Sequence, residues 1–292
     1  MEQFKKNNNI LPTYDKYNFE KCTFSFRRHI LNYINNIPEI KKNLLSFSLD
    51  GKTGLEYMRS FSWKIYLNTL SSSVNTSLKT WLEETHNMRL EYQKKIKELL
   101  NVRKYRGDPL GGGTGEEWGD FFDKADIKHL IKIDVDRTFQ DRDLFCENSI
   151  KEIENNILYI FAKGNQPTSY KQGMNDILAM LIYSLYPYYI KSYITNYNPE
   201  LFEKWAKEPL NNIKDIYCFF HDENEFQSDL YYLMVNLMKL GVNKFYEDLD
   251  LQKYPGETKN YLVKRCEYIS EKKIKLQNSR LYYHFVSIGL DS

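Results

Sequence analysis

Apolar side chains in this chain of 292 residues recur at helical spacing, and sustained alternation of apolar and polar residues between turn dipeptides is missing. From Leu78 to Leu100 they fall at Leu78, Trp81, Leu82, Met88, Tyr92, Ile96, Leu99 and Leu100, with Lys, Glu and Arg between them. That spacing predicts one long surface helix burying a single stripe, about 35 Å end to end at roughly 1.5 Å per residue. Between Met58 and Leu70, the apolar positions Phe61, Trp63, Ile65, Tyr66, Leu67 and Leu70 include a second stripe at i, i+3, i+4 and i+7, positions 63, 66, 67 and 70. Ile150, Ile153, Ile157, Ile160 and Phe161 mark a third helix, and Met174 to Leu185 is apolar enough to be buried on most sides. Leu230, Leu233, Met234, Leu237 and Met238 mark another, and a weaker helix is expected from about Lys259 to Val286. The pattern predicts an all-α fold. Residues 1–40 are asparagine-rich, and their short apolar groups have no clear partner, so they are expected to form a partly disordered extension.

Composition removes several function classes. The formal charge of +2, with no local concentration of Lys and Arg, argues against nucleic acid as a partner. Cysteines at 22, 146, 218 and 266 are too few and too scattered for a disulfide framework and form no C-x-x-C pair, which fits a reduced, intracellular protein. The most apolar stretch, Ile177 to Ile190, is shorter than the roughly 20 residues needed to cross a bilayer, so no transmembrane segment is expected. The first thirty residues lack the pattern of a secretory signal. Gly107 and Gly112 satisfy the first half of a P-loop, but Gly113 stands where the phosphate-binding Lys is required, so a connector is the better reading. The five histidines make no H-E-x-x-H, and the acidic run Asp222-Glu223-Asn224-Glu225 lacks the features of a calcium loop and reads as a solvated loop or a helix start.

Two short motifs carry chemistry. Ile131-Lys132-Ile133-Asp134-Val135-Asp136-Arg137-Thr138 has the form I-x-x-D-x-x-R followed by Thr, and Tyr170-Lys171-Gln172-Gly173-Met174 opens the most hydrophobic helix. Taken singly, the Asp and Arg would be an ordinary i, i+3 ion pair, and the Gln a solvated amide. In order, separated by one amphipathic helix, they form a hairpin able to bring a guanidinium and an amide to one surface. Phosphoryl transfer to water suits that pair. Arg137 can donate in parallel to phosphate oxygens on which charge grows, and Gln172 can orient a water with its carbonyl while its NH₂ touches the phosphate.

At these residues the chain resembles the TBC domain, the family of GTPase-activating proteins for Rab GTPases, whose signatures are I-x-x-D-x-x-R and Y-x-Q. The resemblance runs from about Lys41 to Ser292. It includes Arg59-Ser60-Phe61-Ser62-Trp63-Lys64, similar to an early R-x-x-x-W-K motif, and Asp229-Leu230-Tyr231-Tyr232-Leu233-Met234, similar to a later D-A-Y/F segment. It implies a two-lobed domain over 41–292, with lobes 41–200 and 201–292. It implies that Arg137 and Gln172 are fingers supplied in trans, with Asp134, Thr138, Tyr170 and Gly173 supporting them. It further implies no cofactor of the chain's own, GTP and Mg²⁺ being held by the partner Rab, and a cytoplasmic protein peripheral to trafficking membranes. Asp108-Pro109-Leu110, Trp118 and Phe121-Phe122 are most like the member-five branch, which acts on endosomal Rab proteins, the Rab seven type among them. Two departures stand out. Gln140 replaces the proline usual after Arg-Thr-Phe, and relatives continue past the position of Ser292, so the C-terminal lobe is expected to be truncated. The alternative to a GTPase activator is a helical scaffold that binds a Rab without speeding hydrolysis.

Overall fold

In a computed structural model of the chain, the described residues are 16–34, 36, 38–42, 55–73, 76–100, 115–164, 169–194, 196–246 and 261–289. The glycine-rich connector 107–114 and the side chains of Trp118, Phe121 and Phe122 lie outside them. Among the described residues every regular element is helical, apart from an isolated parallel bridge between Ile190 and Asp222. The chain divides into two compact units, Met1–Asn236 and Leu237–Ser292.

In the first unit, α1 spans Lys16–His29, α2 Arg59–Tyr66, α3 Leu78–Leu100 and α4 Gly115–Arg137. The short α5 at Asp143–Cys146 leads into α6 at Asn148–Gly164, followed by α7 at Met174–Leu185, α8 at Pro199–Lys207 and α9 at Ile213–Phe220. Helix α10, Phe226–Lys239, contains the division between the units. Helix α1 is tied into the core of this unit. Phe26 of α1 is fully buried, stacked on Phe61 at 4.6 Å between centroids and edge-on to Tyr217 at 6.2 Å. Burying one phenylalanine contributes about 1.5–3 kcal/mol. Its partners were invisible in sequence because they come from α2 and α9.

Helix α2 presents a different face from the one its spacing suggested. Phe61 and Ile65 are buried, Trp63 and Tyr66 are only half-buried, and Lys64 lies in the core. The helix ends where Asn68 adopts a left-handed φ of 54°, and the amides of Thr69 and Leu70 both return to the Lys64 carbonyl. Helix α3 buries Trp81, Leu82 and Tyr92 as expected, but also Arg89, which the pattern assigned to its polar side. Both corrections have one cause, Asp229 of α10. Its carboxylate receives Lys64 Nζ at 2.8 Å, Arg89 Nε and Nη2 at 2.9 and 2.8 Å, and the Tyr189 hydroxyl at 2.7 Å. The spare donors of the two cations reach the carbonyls of Phe220 and Phe219. Burial alone would raise the Asp229 carboxyl, but Arg89 and Lys64 hold it well below the usual carboxylate range. Burial draws Lys64 down to about 8, which leaves it protonated at neutral pH.

The remaining core of this unit is aromatic and aliphatic. Trp205 and Phe202 of α8 pack around Phe219 at 6.1 and 5.1 Å, and His221 stacks on Tyr217 at 4.2 Å. The acidic run after α9 is a helix start: Asp222 is buried, accepts from the Tyr197 hydroxyl, and caps the turn Glu223–Glu225 that leads into α10.

In the second unit, a 3₁₀ turn at Val242–Phe245 packs Phe245 edge-on against Tyr261 at 5.6 Å. Helix α11, Tyr261–Tyr268, passes through a π-helical segment Ile269–Ile274 into α12, Lys275–Gln277. Asn278 breaks the single helix expected here and caps α13, Ser279–Ser287, accepting from the Leu281 amide at 3.0 Å.

Candidate functional site

Helix α4 stops at Arg137 for local reasons. The Thr138 hydroxyl folds back onto the Asp134 carbonyl at 2.8 Å, and Phe139 takes a left-handed φ of 37°. Gln140 occupies this turn and donates from its amide to the Asp136 carbonyl at 2.6 Å. The cation at the end of α4 faces the negative pole of the helix dipole. On the other side, α7 begins after Gly173, whose φ of 94° is a conformation that a Cβ would strain.

Asp134 joins the two motifs. It is almost fully buried, at 2% exposure, and its Oδ1 receives Arg137 Nη2 at 2.5 Å. Its Oδ2 receives the Tyr170 hydroxyl at 2.6 Å. Burial, and the bond to the Asp134 carboxylate, push the Tyr170 phenol well above its ordinary range, which keeps it a proton donor. Asn175, in the first turn of α7, closes the frame. Its Nδ2 donates to the Thr138 hydroxyl at 2.9 Å, and its Oδ1 accepts from the Gly173 amide at 3.0 Å.

The consequence is a buried polar frame with two groups at its surface. The Arg137 side chain is 52% exposed, and Gln172 is exposed without a hydrogen-bond partner among the described residues. Helix α6 packs against both α4 and α7, and its Lys151 bonds Asp136 of α4 at 3.2 Å. It also buries Glu154, neither of whose carboxylate oxygens has a hydrogen-bond partner among the described residues. Burial raises that carboxyl to about 8; Lys151 opposes the shift and Asp176 adds to it. Among the described residues no group of His, Cys, Asp and Glu could hold a metal ion. Among them, too, no helix is long and apolar enough to cross a membrane.

The structure thus brings together Asp134, Arg137, Thr138, Tyr170 and Gly173, with Gln172 two residues after Tyr170. Sequence reasoning missed Asn175. Its signal was an amide at the second position of the most apolar helix, ahead of Asp176. The pairing of Lys64 and Arg89 with Asp229 has no signal in the sequence, the three residues lying on three separate helices.

The description of one family, the Rab-GTPase-TBC domain, fits residues 122–292, more than half of the chain. The chain belongs to the Rab-GTPase-TBC domain family. This TBC domain is 29% identical over 213 residues to TBC1 domain family member 5 homolog B of Dictyostelium discoideum, covering 71% of the chain and 19% of that relative. It is 29% identical over 147 residues to TBC1 domain family member 5 of Mus musculus, covering 47% and 17%. The chain spans about a fifth of the length of the curated relatives it matches. Among solved structures, the Ypt/Rab-GAP domain of Gyp1p superposes with a TM-score of 0.55 at 16% identity, over 94% of this chain and 70% of the other, which shows the shared all-α fold.

Proposed function

We propose that this TBC domain accelerates GTP hydrolysis on a Rab-type small GTPase, with Arg137 and Gln172 supplied in trans. One observation carries the reading: a half-exposed guanidinium and an exposed amide issue from the same buried hydrogen-bonded frame around Asp134 and Tyr170. In hydrolysis a water attacks the γ-phosphorus while the bond to the β–γ bridging oxygen breaks, and charge grows on that oxygen and the γ-oxygens. Arg137 would exchange the Asp134 carboxylate for those oxygens, two anionic partners of matched geometry for one planar fork. Gln172 would hold the attacking water by its carbonyl and touch the phosphate by its NH₂. Nucleotide and Mg²⁺ belong to the GTPase. The family-five likeness makes an endosomal Rab of the seven type the first partner to assay, and trafficking membranes the setting.

The test is single-turnover phosphate release from a panel of GTP-loaded Rab proteins. Arg137→Ala and Arg137→Lys are expected to remove about 10³ to 10⁵ of the stimulation, since lysine lacks the planar fork. Gln172→Ala should act in the same direction and should melt like the wild type because its side chain is exposed. The Arg137 variants disturb the pair with the buried Asp134 carboxylate, so their loss of stimulation is read at a temperature where a melting curve shows them folded. Stimulation that survives Arg137→Ala would defeat the finger assignment. GTP-dependent binding without any stimulation by the wild type would favour the scaffold.

A further inference from the structure

Arg137 ends α4 and Gln172 precedes α7, 35 positions later in the sequence. Two such groups can serve one phosphate only if something fixes the distance between the segments that carry them. One side chain bonds to both segments. Asn175 donates from Nδ2 to the hydroxyl of Thr138, the residue after Arg137, at 2.9 Å. Its Oδ1 accepts from the amide of Gly173, the residue after Gln172, at 3.0 Å. Each residue it holds is thus the immediate neighbour of a finger.

The chemistry of this bridge requires an amide. The Gly173 N–H can only donate, so it fixes which end of the Asn175 side chain is oxygen and turns Nδ2 toward Thr138. The Thr138 hydroxyl has one proton, directed at the Asp134 carbonyl at 2.8 Å, so toward Asn175 it can only accept. The Tyr170 hydroxyl approaches Asn175 Oδ1 at 3.3 Å, but its proton lies on the shorter bond to Asp134 at 2.6 Å. The second Nδ2 proton reaches Asp176 Oδ1 at 3.2 Å. Asn175 and Thr138 are 4% and 3% exposed, so neither side chain is open to a docked GTPase. With water excluded, a partner lost on one side leaves a buried polar group unsatisfied on the other.

We propose that Asn175 is a positioning residue that sets the distance between Arg137 and Gln172, so that the two fingers act as one unit. This inference rests on the GTPase-activating reading. Its test is single-turnover phosphate release from the GTP-loaded Rab that the wild type stimulates most, at rising concentrations of the TBC domain, which separates the limiting rate from half-saturation. Asn175→Leu fills the space without the bonds, and Thr138→Val removes the acceptor from the α4 side at constant shape. Each is expected to lower the limiting rate about a hundredfold, the order that a displacement of about 1 Å costs. Half-saturation should stay unchanged, because no contact with the GTPase is lost. Thr138→Ser keeps the hydroxyl and should retain the wild-type rate. In a Gln172→Ala background the loss from Asn175→Leu should shrink, since one of the groups it aims is gone. All rates are read at a temperature where melting curves show the proteins folded. A wild-type limiting rate in Asn175→Leu or Thr138→Val, a change confined to half-saturation, or the same fold-loss with and without Gln172 overturns the inference and leaves the GTPase reading in place. A wild type that stimulates no Rab overturns that reading and this inference together.

Discussion

Glu154 should make the stability of this protein depend on pH in a direction opposite to that of most carboxylates. The native state raises the carboxyl from an ordinary 4.5 to about 8, chiefly by burial. Between those values the folded chain holds a proton that the unfolded chain has released. The associated stability is fully present below about 4.5 and is lost as pH rises through about 8. Each pKa unit corresponds to about 1.36 kcal/mol, so moving from pH 5.5 to 8.5 should cost roughly 3 kcal/mol through this one group. Other groups titrate in the same range, so the measurement is a comparison. Wild type, Glu154→Gln and Glu154→Leu are unfolded in urea at pH 5.5, 7 and 8.5, followed by tryptophan fluorescence. Wild type should lose about 3 kcal/mol relative to either variant across that span. Parallel stability curves for wild type and variants would refute the argument, because they would mean that Glu154 has the same proton affinity folded and unfolded.

Asp229→Ala leaves Lys64 and Arg89 buried without their counter-charge and should destabilise the first unit by about 3–5 kcal/mol; a melting temperature equal to wild type contradicts that account. Tyr170→Phe removes the hydroxyl that donates to Asp134 and should cost roughly 1.5–3 kcal/mol in urea titration, whereas a neutral result would mean that the bond contributes nothing net. Gly173→Ala forces a Cβ into a φ of 94° and is expected to lose at least about 1 kcal/mol, read in the same titration, with an unchanged midpoint as the opposing result.

The all-α class was legible because apolar periodicity is a local property, and α3 and α7 carry it plainly. The convergence of Asp134 and Tyr170 was legible only because two motifs of known order flank one helix. Polar groups inside the fold were not. Arg89 sits among Lys and Glu on α3 and reads as solvated, and only its distance from Asp229, 140 residues later, shows otherwise. Lys64 lies inside for the same reason: its counter-charge, Asp229, stands 165 residues later, where spacing within α2 gives no sign of it. Nothing near α1 in the sequence signals its packing, because the rings that cover Phe26 belong to distant helices.

That last separation bears on the order in which the chain assembles. Phe61 follows Phe26 by about 35 residues, but Tyr217 and Phe220 follow it by about 190. At roughly 5–20 residues per second of synthesis, the first helix made waits on the order of 10–40 s before its docking site is complete. During that interval Phe61 can reach Phe26 but Tyr217 and Phe220 cannot, so the packing of α1 is completed late, over a long loop. Substitutions on its apolar face should therefore speed unfolding while leaving the folding rate of the remaining helices almost unchanged.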